Sequence, residues 1–174
     1  MRKFLIVVLL AVAGVLGYAS TKPDQFRVER SITIKAPAEK IFPHINNFHQ
    51  WEAWSPYEKL DPAMKRSFSG AESGVGAVYA WEGDPKVGAG RMEILESTPS
   101  SDIKIKLDFL KPMEGHDQAE FTLVSQGDST TVTWAMSGAA AYIMKVMGVF
   151  FNMDEMIGKD FETGLSNLKT LTEQ

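Results

Sequence analysis

The spacing of hydrophobic positions changes character twice along the chain. After Arg2 and Lys3, the run from Phe4 to Ala19 in MRKFLIVVLLAVAGVLGYAS is uncharged and almost wholly apolar. It has no polar face, so it does not have the pattern of an amphipathic helix lying on a soluble core. From Phe26 the period becomes two. Phe26, Val28, Ile32 and Ile34 share one face of FRVERSITIKAP, with Arg27, Glu29, Ser31, Thr33 and Lys35 opposite. That alternation predicts a half-buried strand, interrupted on its apolar face by Arg30. Pro37 suits the first turn of a helix, and AEKIFPHINNF places Ile41, Phe42, Ile45 and Phe48 at helical spacing. Pro43 falls early enough in that helix to be tolerated. NNFHQWEAWSPYEKLDP follows as a short helix or loop that concentrates Trp51, Trp54, Tyr57 and Phe48 among polar residues.

Period two returns at Met64 and holds through six segments: MKRSFSG, AVYAWEG, GRMEILES, DIKIKLDFL, QAEFTLV and TVTWAMS. The fourth is the clearest, with Ile103, Ile105, Leu107 and Phe109 alternating with Lys104, Lys106 and Asp108. Gly127-Asp128-Ser129 is a hairpin turn signal. Seven strands joined by short turns predict an antiparallel sheet. The helical period then takes over. AAYIMKVMGVFF is a short helical piece, with breaks at Gly148 and Asn152. Met153, Ile157, Phe161, Leu165, Leu168 and Leu171 mark one stripe of a long amphipathic helix. Asn152 can cap it, and Asp154 and Glu155 suit the positive end of its dipole. A seven-stranded sheet curls, and only one long helix remains to cover its apolar face. An incompletely filled interior is the expectation.

Composition narrows the classes. The length of 174 residues suits one domain, from Phe26 to the C-terminus, behind a polar linker, Thr21–Gln25. A net charge of -4 without a basic stripe argues against a nucleic-acid partner. The absence of cysteine removes disulfides, thiolate metal sites and a cysteine nucleophile. The N-terminal segment, residues 1–20, lies between a signal-peptide core and a comfortable membrane span. It predicts either an uncleaved anchor or a signal peptide cleaved after Gly17-Tyr18-Ala19. Either sends the remainder out of the cytoplasm, because Arg2 and Lys3 hold the N-terminus inside. The expected location is therefore the periplasmic or extracytoplasmic side, anchored or secreted.

Motifs for catalysis are few. His44, His49 and His116 lack metal-ligand spacing, and surface or rim positions are expected for them. There is no nucleophile elbow, and the glycines of FSGAESGVG and KVGAGR serve turns. Asp108 and Glu120 fall in neighbouring strands. If register paired them inside a cavity, one pKa would rise and acid–base chemistry would follow. Alternation instead puts Asp108 on the solvated face. Arg30 and Arg91 either orient a ligand's acid group or form surface ion pairs. No cofactor or metal is expected, and no catalytic residue is assigned.

The pieces FRVERSITIKAPAEKIFPHINNFHQWEAWSPYEKLDP, GVGAVYAWEG, VGAGRMEI, KLDFLKPM, AEFTL, TWAMSG and GKDFETGLSNLK together resemble the START-like, or SRPBCC, superfamily. Within it, the chain is similar to the bacterial polyketide cyclase/dehydrase-like proteins with an N-terminal hydrophobic segment. The resemblance implies an α+β helix-grip fold, a seven-stranded antiparallel sheet wrapped around the long C-terminal helix with a hydrophobic cavity between. The superfamily includes lipid carriers, hormone receptors, aromatic cyclases and co-chaperones, so it fixes fold better than function. The cavity-lining candidates are Trp51, Trp54, Tyr79, Trp81, Met92, Leu107, Phe109, Phe121, Trp134, Met136, Met153, Ile157 and Phe161. Trp51 and Trp54 are expected to close one end of the grip, partly as core and partly as rim. The favoured function is binding or transport of a hydrophobic small molecule, a lipid or an aromatic metabolite. The alternatives are a cyclase or dehydrase using acid–base residues in the cavity, and an envelope interaction protein with a filled core.

Overall fold

The computed structural model describes residues 1–174. Helix α1 spans Arg2–Ser20, and of its residues only Ala19 is buried. Strand β1 (Gln25–Ile34) and helix α2 (Ala38–Asn46) follow, then two 3₁₀ turns, Phe48–Ala53 and Pro56–Lys59. Strands β2 (Lys65–Gly70), β3 (Ala77–Glu82), β4 (Ala89–Thr98), β5 (Asp102–Lys111), β6 (Gly115–Gln126) and β7 (Ser129–Ala139) come next. Helix α3 (Tyr142–Met147) and helix α4 (Met153–Thr172) complete the chain. All seven strands form one antiparallel sheet in the order β1-β7-β6-β5-β4-β3-β2. This is the seven-stranded antiparallel sheet and long helix that the periods predicted, in the α+β helix-grip arrangement that the resemblance implied. Pro37 stands one position earlier than expected, as the N-cap of α2 rather than in its first turn.

The core lies between the concave face of the sheet and α4. Ile94, Ile103, Ile105, Phe121 and Val132 meet Phe161, Leu165 and Leu168 there. Two glycines let α4 approach closely. A Cβ on Gly164 would stand 2.8 Å from the Trp134 ring and 3.0 Å from Pro56. A Cβ on Gly158 would collide with the guanidinium of Arg30. That side chain explains the charge on the apolar face of β1. It donates to Asp154 and Glu162 of α4, each at 2.9 Å, so strand and helix are joined by an ion-pair clamp. Asn152 caps α4, its side-chain oxygen accepting the Glu155 N–H at 3.2 Å.

Antiparallel connectivity sorts the loops into two ends. The β2–β3, β4–β5 and β6–β7 turns lie at one end. The β3–β4 and β5–β6 turns, the start of β1 and the start of α4 lie at the other.

Candidate ligand cavity

The 3₁₀ turns after α2 are fixed by the two tryptophans of the quoted run. The Trp51 indole N–H donates to the Ile45 carbonyl at 2.9 Å, and that of Trp54 to the His44 carbonyl at 3.0 Å. These carbonyls belong to the last turn of α2, where no intrahelical donor is left for them. The turns pack against α4, where the Trp54 carbonyl accepts from Asn167 Nδ2 at 3.0 Å and Pro56 lies beside Gly164.

Between sheet, turns and α4 lies a cavity of about 280 Å³, walled by 18 residues of which 15 are hydrophobic. Trp51, Tyr79, Met92, Leu107, Trp134 and Phe161 form its buried wall. Trp81, Phe109, Met136 and Ile157, each half-buried, stand nearer the opening. Leu60 and Asp160 are exposed at the mouth. The mouth therefore faces the end of the sheet from which α1, α3 and the start of α4 emerge.

Three of the expected lining residues stand elsewhere. Trp54 is fully buried behind the wall, with its ring 5.5 Å from Trp134 and 6.0 Å from Phe121. Trp51 thus reaches the cavity while Trp54 is core. Phe121 sits deeper along β6 than Ala119, stacked on Trp134 at 5.1 Å, and it fills core. Met153 is the first residue of α4 and lies outside the mouth.

The cavity also has a polar side that the periodicity did not reveal. Glu58 is buried, and its Oε1 accepts the Tyr79 hydroxyl at 2.6 Å. Its Oε2 accepts the Arg66 Nε at 2.7 Å, while a second Arg66 nitrogen donates to the Glu58 carbonyl at 2.9 Å. Burial pushes the Tyr79 hydroxyl pKa up, and the bond to Glu58 pushes it further. At the mouth, burial likewise raises Tyr57, with Asp160 beside it adding to the rise. Asp160 is itself raised by burial, an effect that Tyr57 opposes. Ser55 is fully buried in the wall, and its Oγ has no hydrogen-bond partner. Ser55, Tyr57 and Glu58 lie in the aromatic-rich run, but an irregular turn carries no period from which to read their orientation.

The titratable candidates of the sequence lie away from this cavity. Register places Asp108 opposite His116, and Glu120 opposite Lys104, so the two carboxylates are not paired. Asp108 is on the outer face, as alternation predicted, but it is 7% exposed rather than solvated. Lys106 at 2.8 Å and His116 at 2.7 Å cover it and hold its carboxyl below the usual range, Lys106 foremost. Arg91 pairs with Glu93 at 2.7 Å and Arg30 with α4, so neither guanidinium faces the cavity. The histidines are dispersed. His49 stacks on Phe68 at 3.9 Å, His116 is on the outer face, and His44 is in α2 with an unpartnered Nδ1. Burial lowers the His44 pKa, and Lys40 lowers it further.

A family model described as polyketide cyclase / dehydrase and lipid transport matches residues 25–173. The chain belongs to this family. Among solved structures it is similar to protein CV1439 from Chromobacterium violaceum, with 16% identity over 88% of this chain and 99% of that one, at a TM-score of 0.60. Protein MLL2253 from Mesorhizobium loti is 20% identical over 84% and 96% of the two chains, at a TM-score of 0.58. The di-domain ARO/CYC BexL from the BE-7585A biosynthetic pathway is 14% identical, at a TM-score of 0.64, and 53% of its chain is covered by 91% of this one. These identities establish a shared fold. A comparison with curated proteins finds no match. As a polyketide cyclase/dehydrase and lipid transport family member, the chain combines the helix grip with an apolar chamber, one buried carboxylate in its wall that pairs with Arg66 behind it, and one unpartnered hydroxyl.

Proposed function

We propose that this protein binds and carries a hydrophobic small molecule in the chamber between the sheet and α4, on the outer side of the cytoplasmic membrane. The observation that carries this reading is the chamber itself: about 280 Å³, with an almost wholly apolar wall and a mouth at one end of the grip. That volume is just below the range for small-molecule sites, roughly 300 Å³ and upward. Affinity comes from apolar burial, at about 25 cal/mol per Å² removed from water. Ser55 Oγ, free of protein partners, orients a hydroxyl or carbonyl on the ligand. The family description includes lipid transport, and a lipid or polycyclic metabolite with one polar end suits such a wall.

Helix α1 serves as the anchor in this reading. It is 19 residues long, and an 18-residue window within it has a mean hydropathy of 2.1. At 1.5 Å per residue the helix extends about 28 Å, close to the ~30 Å hydrocarbon core. Arg2 and Lys3 keep the N-terminus in the cytoplasm, so the grip is outside.

Native mass spectrometry of the full chain, extracted gently from host membranes, tests the proposal when followed by solvent extraction. A defined apolar compound near one per chain supports a carrier. A clean apo mass at every detergent condition counts against one.

One observation favours an enzyme as second reading. Tyr79 and Glu58 share a short hydrogen bond at the wall, the arrangement a cyclase or dehydrase would use to move a proton. Arg66 holds Glu58, and burial moves ionisation of the Tyr79 hydroxyl, already protonated near neutrality, still further from reach. Both features favour orientation of a ligand over proton transfer.

A further inference from the structure

We infer that the mouth end of the grip rests on the lipid bilayer, so that the chamber exchanges its ligand directly with the membrane; the ligand is then a membrane-resident amphiphile. This rests on the carrier reading and adds an interaction surface to it, with α1 as a separate line of support.

The first observation is where α3 is tied. The Tyr142 hydroxyl donates to the Leu16 carbonyl of α1 at 2.8 Å. Lys145, nearly buried, pairs with Asp24 of the linker, and the Ala140 N–H donates to the Asp24 carbonyl at 2.8 Å. Helix α3 is thus fixed against the last turns of α1. Leu16 lies four residues before the end of α1, about 6 Å along the axis. If α1 spans the bilayer, α3 stands at the depth of the headgroups.

The second observation is independent of α1. Most of the exposed large apolar residues outside α1 belong to segments at the mouth end. Ile143 is 51% exposed, Phe150 66%, Phe151 57% and Met156 57%. On the far side of the mouth, Leu110 is 54% and Met113 52% exposed, at the β5–β6 turn. These two groups come from different parts of the chain, yet topology brings them to one end, around the opening. Apolar residues collected on one surface mark an interaction site. Continuity with a membrane-length helix identifies the bilayer as the partner, since aromatic and aliphatic tips insert at the headgroup–acyl boundary.

The chain has no cysteine, so single cysteines report depth without background. Full chains carrying Leu9→Cys, Met113→Cys, Phe150→Cys or Asp128→Cys would be labelled with an environment-sensitive fluorophore. They would be reconstituted into phosphatidylcholine–phosphatidylglycerol vesicles containing acyl-chain nitroxide lipids. Position 9 reports α1, positions 113 and 150 the rim, and position 128 the β6–β7 turn at the opposite end. The expected result is quenching at 9, and quenching at 113 and 150 severalfold above that at 128. Quenching at 9 with 113 and 150 no higher than 128 overturns the docking and leaves the anchor standing. Quenching at 113 and 150 without 9 supports the docking and removes the anchor. No quenching at any position overturns both.

Discussion

Trp134 of β7 and Phe161 of α4 lie face to face, with ring centroids 4.1 Å apart and planes 9° from parallel. The pair fastens helix to sheet and also forms part of the chamber wall. Core and cavity are therefore not alternatives for these aromatics. One face of the stack supports the fold while its edges meet the void.

Gly164 sits beside this stack. Gly164→Ala would put a methyl group 2.8 Å from the Trp134 ring and 3.0 Å from Pro56. Neither neighbour is the end of a flexible chain, so α4 must lift. The expected loss is about 1–3 kcal/mol, read as a lower urea midpoint with an unchanged slope.

Ser55→Ala removes a buried hydroxyl that has no protein partner. The apo protein should be as stable as wild type or up to about 1 kcal/mol more so. A ligand that bonds Ser55 should bind roughly fivefold more weakly, a loss of about 1 kcal/mol. Thermal unfolding of the apo form and a ligand titration separate the two effects. A clear fall in apo stability would contradict the assignment.

Glu58→Gln keeps the shape of the side chain but removes its charge and turns one of its two acceptor oxygens into an NH2 donor, so Tyr79 and Arg66 can no longer both donate to it. Breaking a largely buried pair by removing one partner costs about 3 kcal/mol. The drop should appear in chemical denaturation at pH 7. Arg66→Gln in the same background should add little, because the two act as a unit.

Asp117 gives a pH signature. It faces Gly138 across β6 and β7, and burial raises its pKa to about 6, although His116 opposes the rise. A carboxyl whose folded pKa exceeds its unfolded value of about 4 binds its proton more tightly when folded. Its contribution is fully present below pH 4 and is lost as pH rises through 6. Asp117→Asn should flatten that part of the stability profile, measured as unfolding midpoint between pH 4 and 7.

The seven strands, the single long helix and the expectation of a void were readable because alternation and helical spacing are strong in regular elements. Ile103, Ile105 and Leu107 of DIKIKLDFL and Phe161, Leu165 and Leu168 of the α4 stripe are buried as their periods predict, while Phe109, Met153, Ile157 and Leu171 are half-buried. Arg30 was readable as an anomaly on β1, but its partners on α4 are more than a hundred positions away. Distance in sequence also hid the separation of Asp108 from Glu120, since only register decides it. The polar side of the chamber was the least legible part. Ser55, Tyr57 and Glu58 sit in irregular turns whose orientation is set by the Trp51 and Trp54 bonds to α2. Those bonds exist only once the chain has folded back on itself.

The central claim is that the chamber itself holds the ligand, and filling it tests this most directly. Ala119 is buried in the wall, so Ala119→Phe puts a ring into empty space. Native mass spectrometry would compare this variant with wild type, both prepared as full chains from the same membranes, with folding checked by circular dichroism. Wild type is expected to carry a bound apolar compound, and a folded Ala119→Phe to have lost it. Equal occupancy on both folded proteins would place the compound elsewhere and contradict the account.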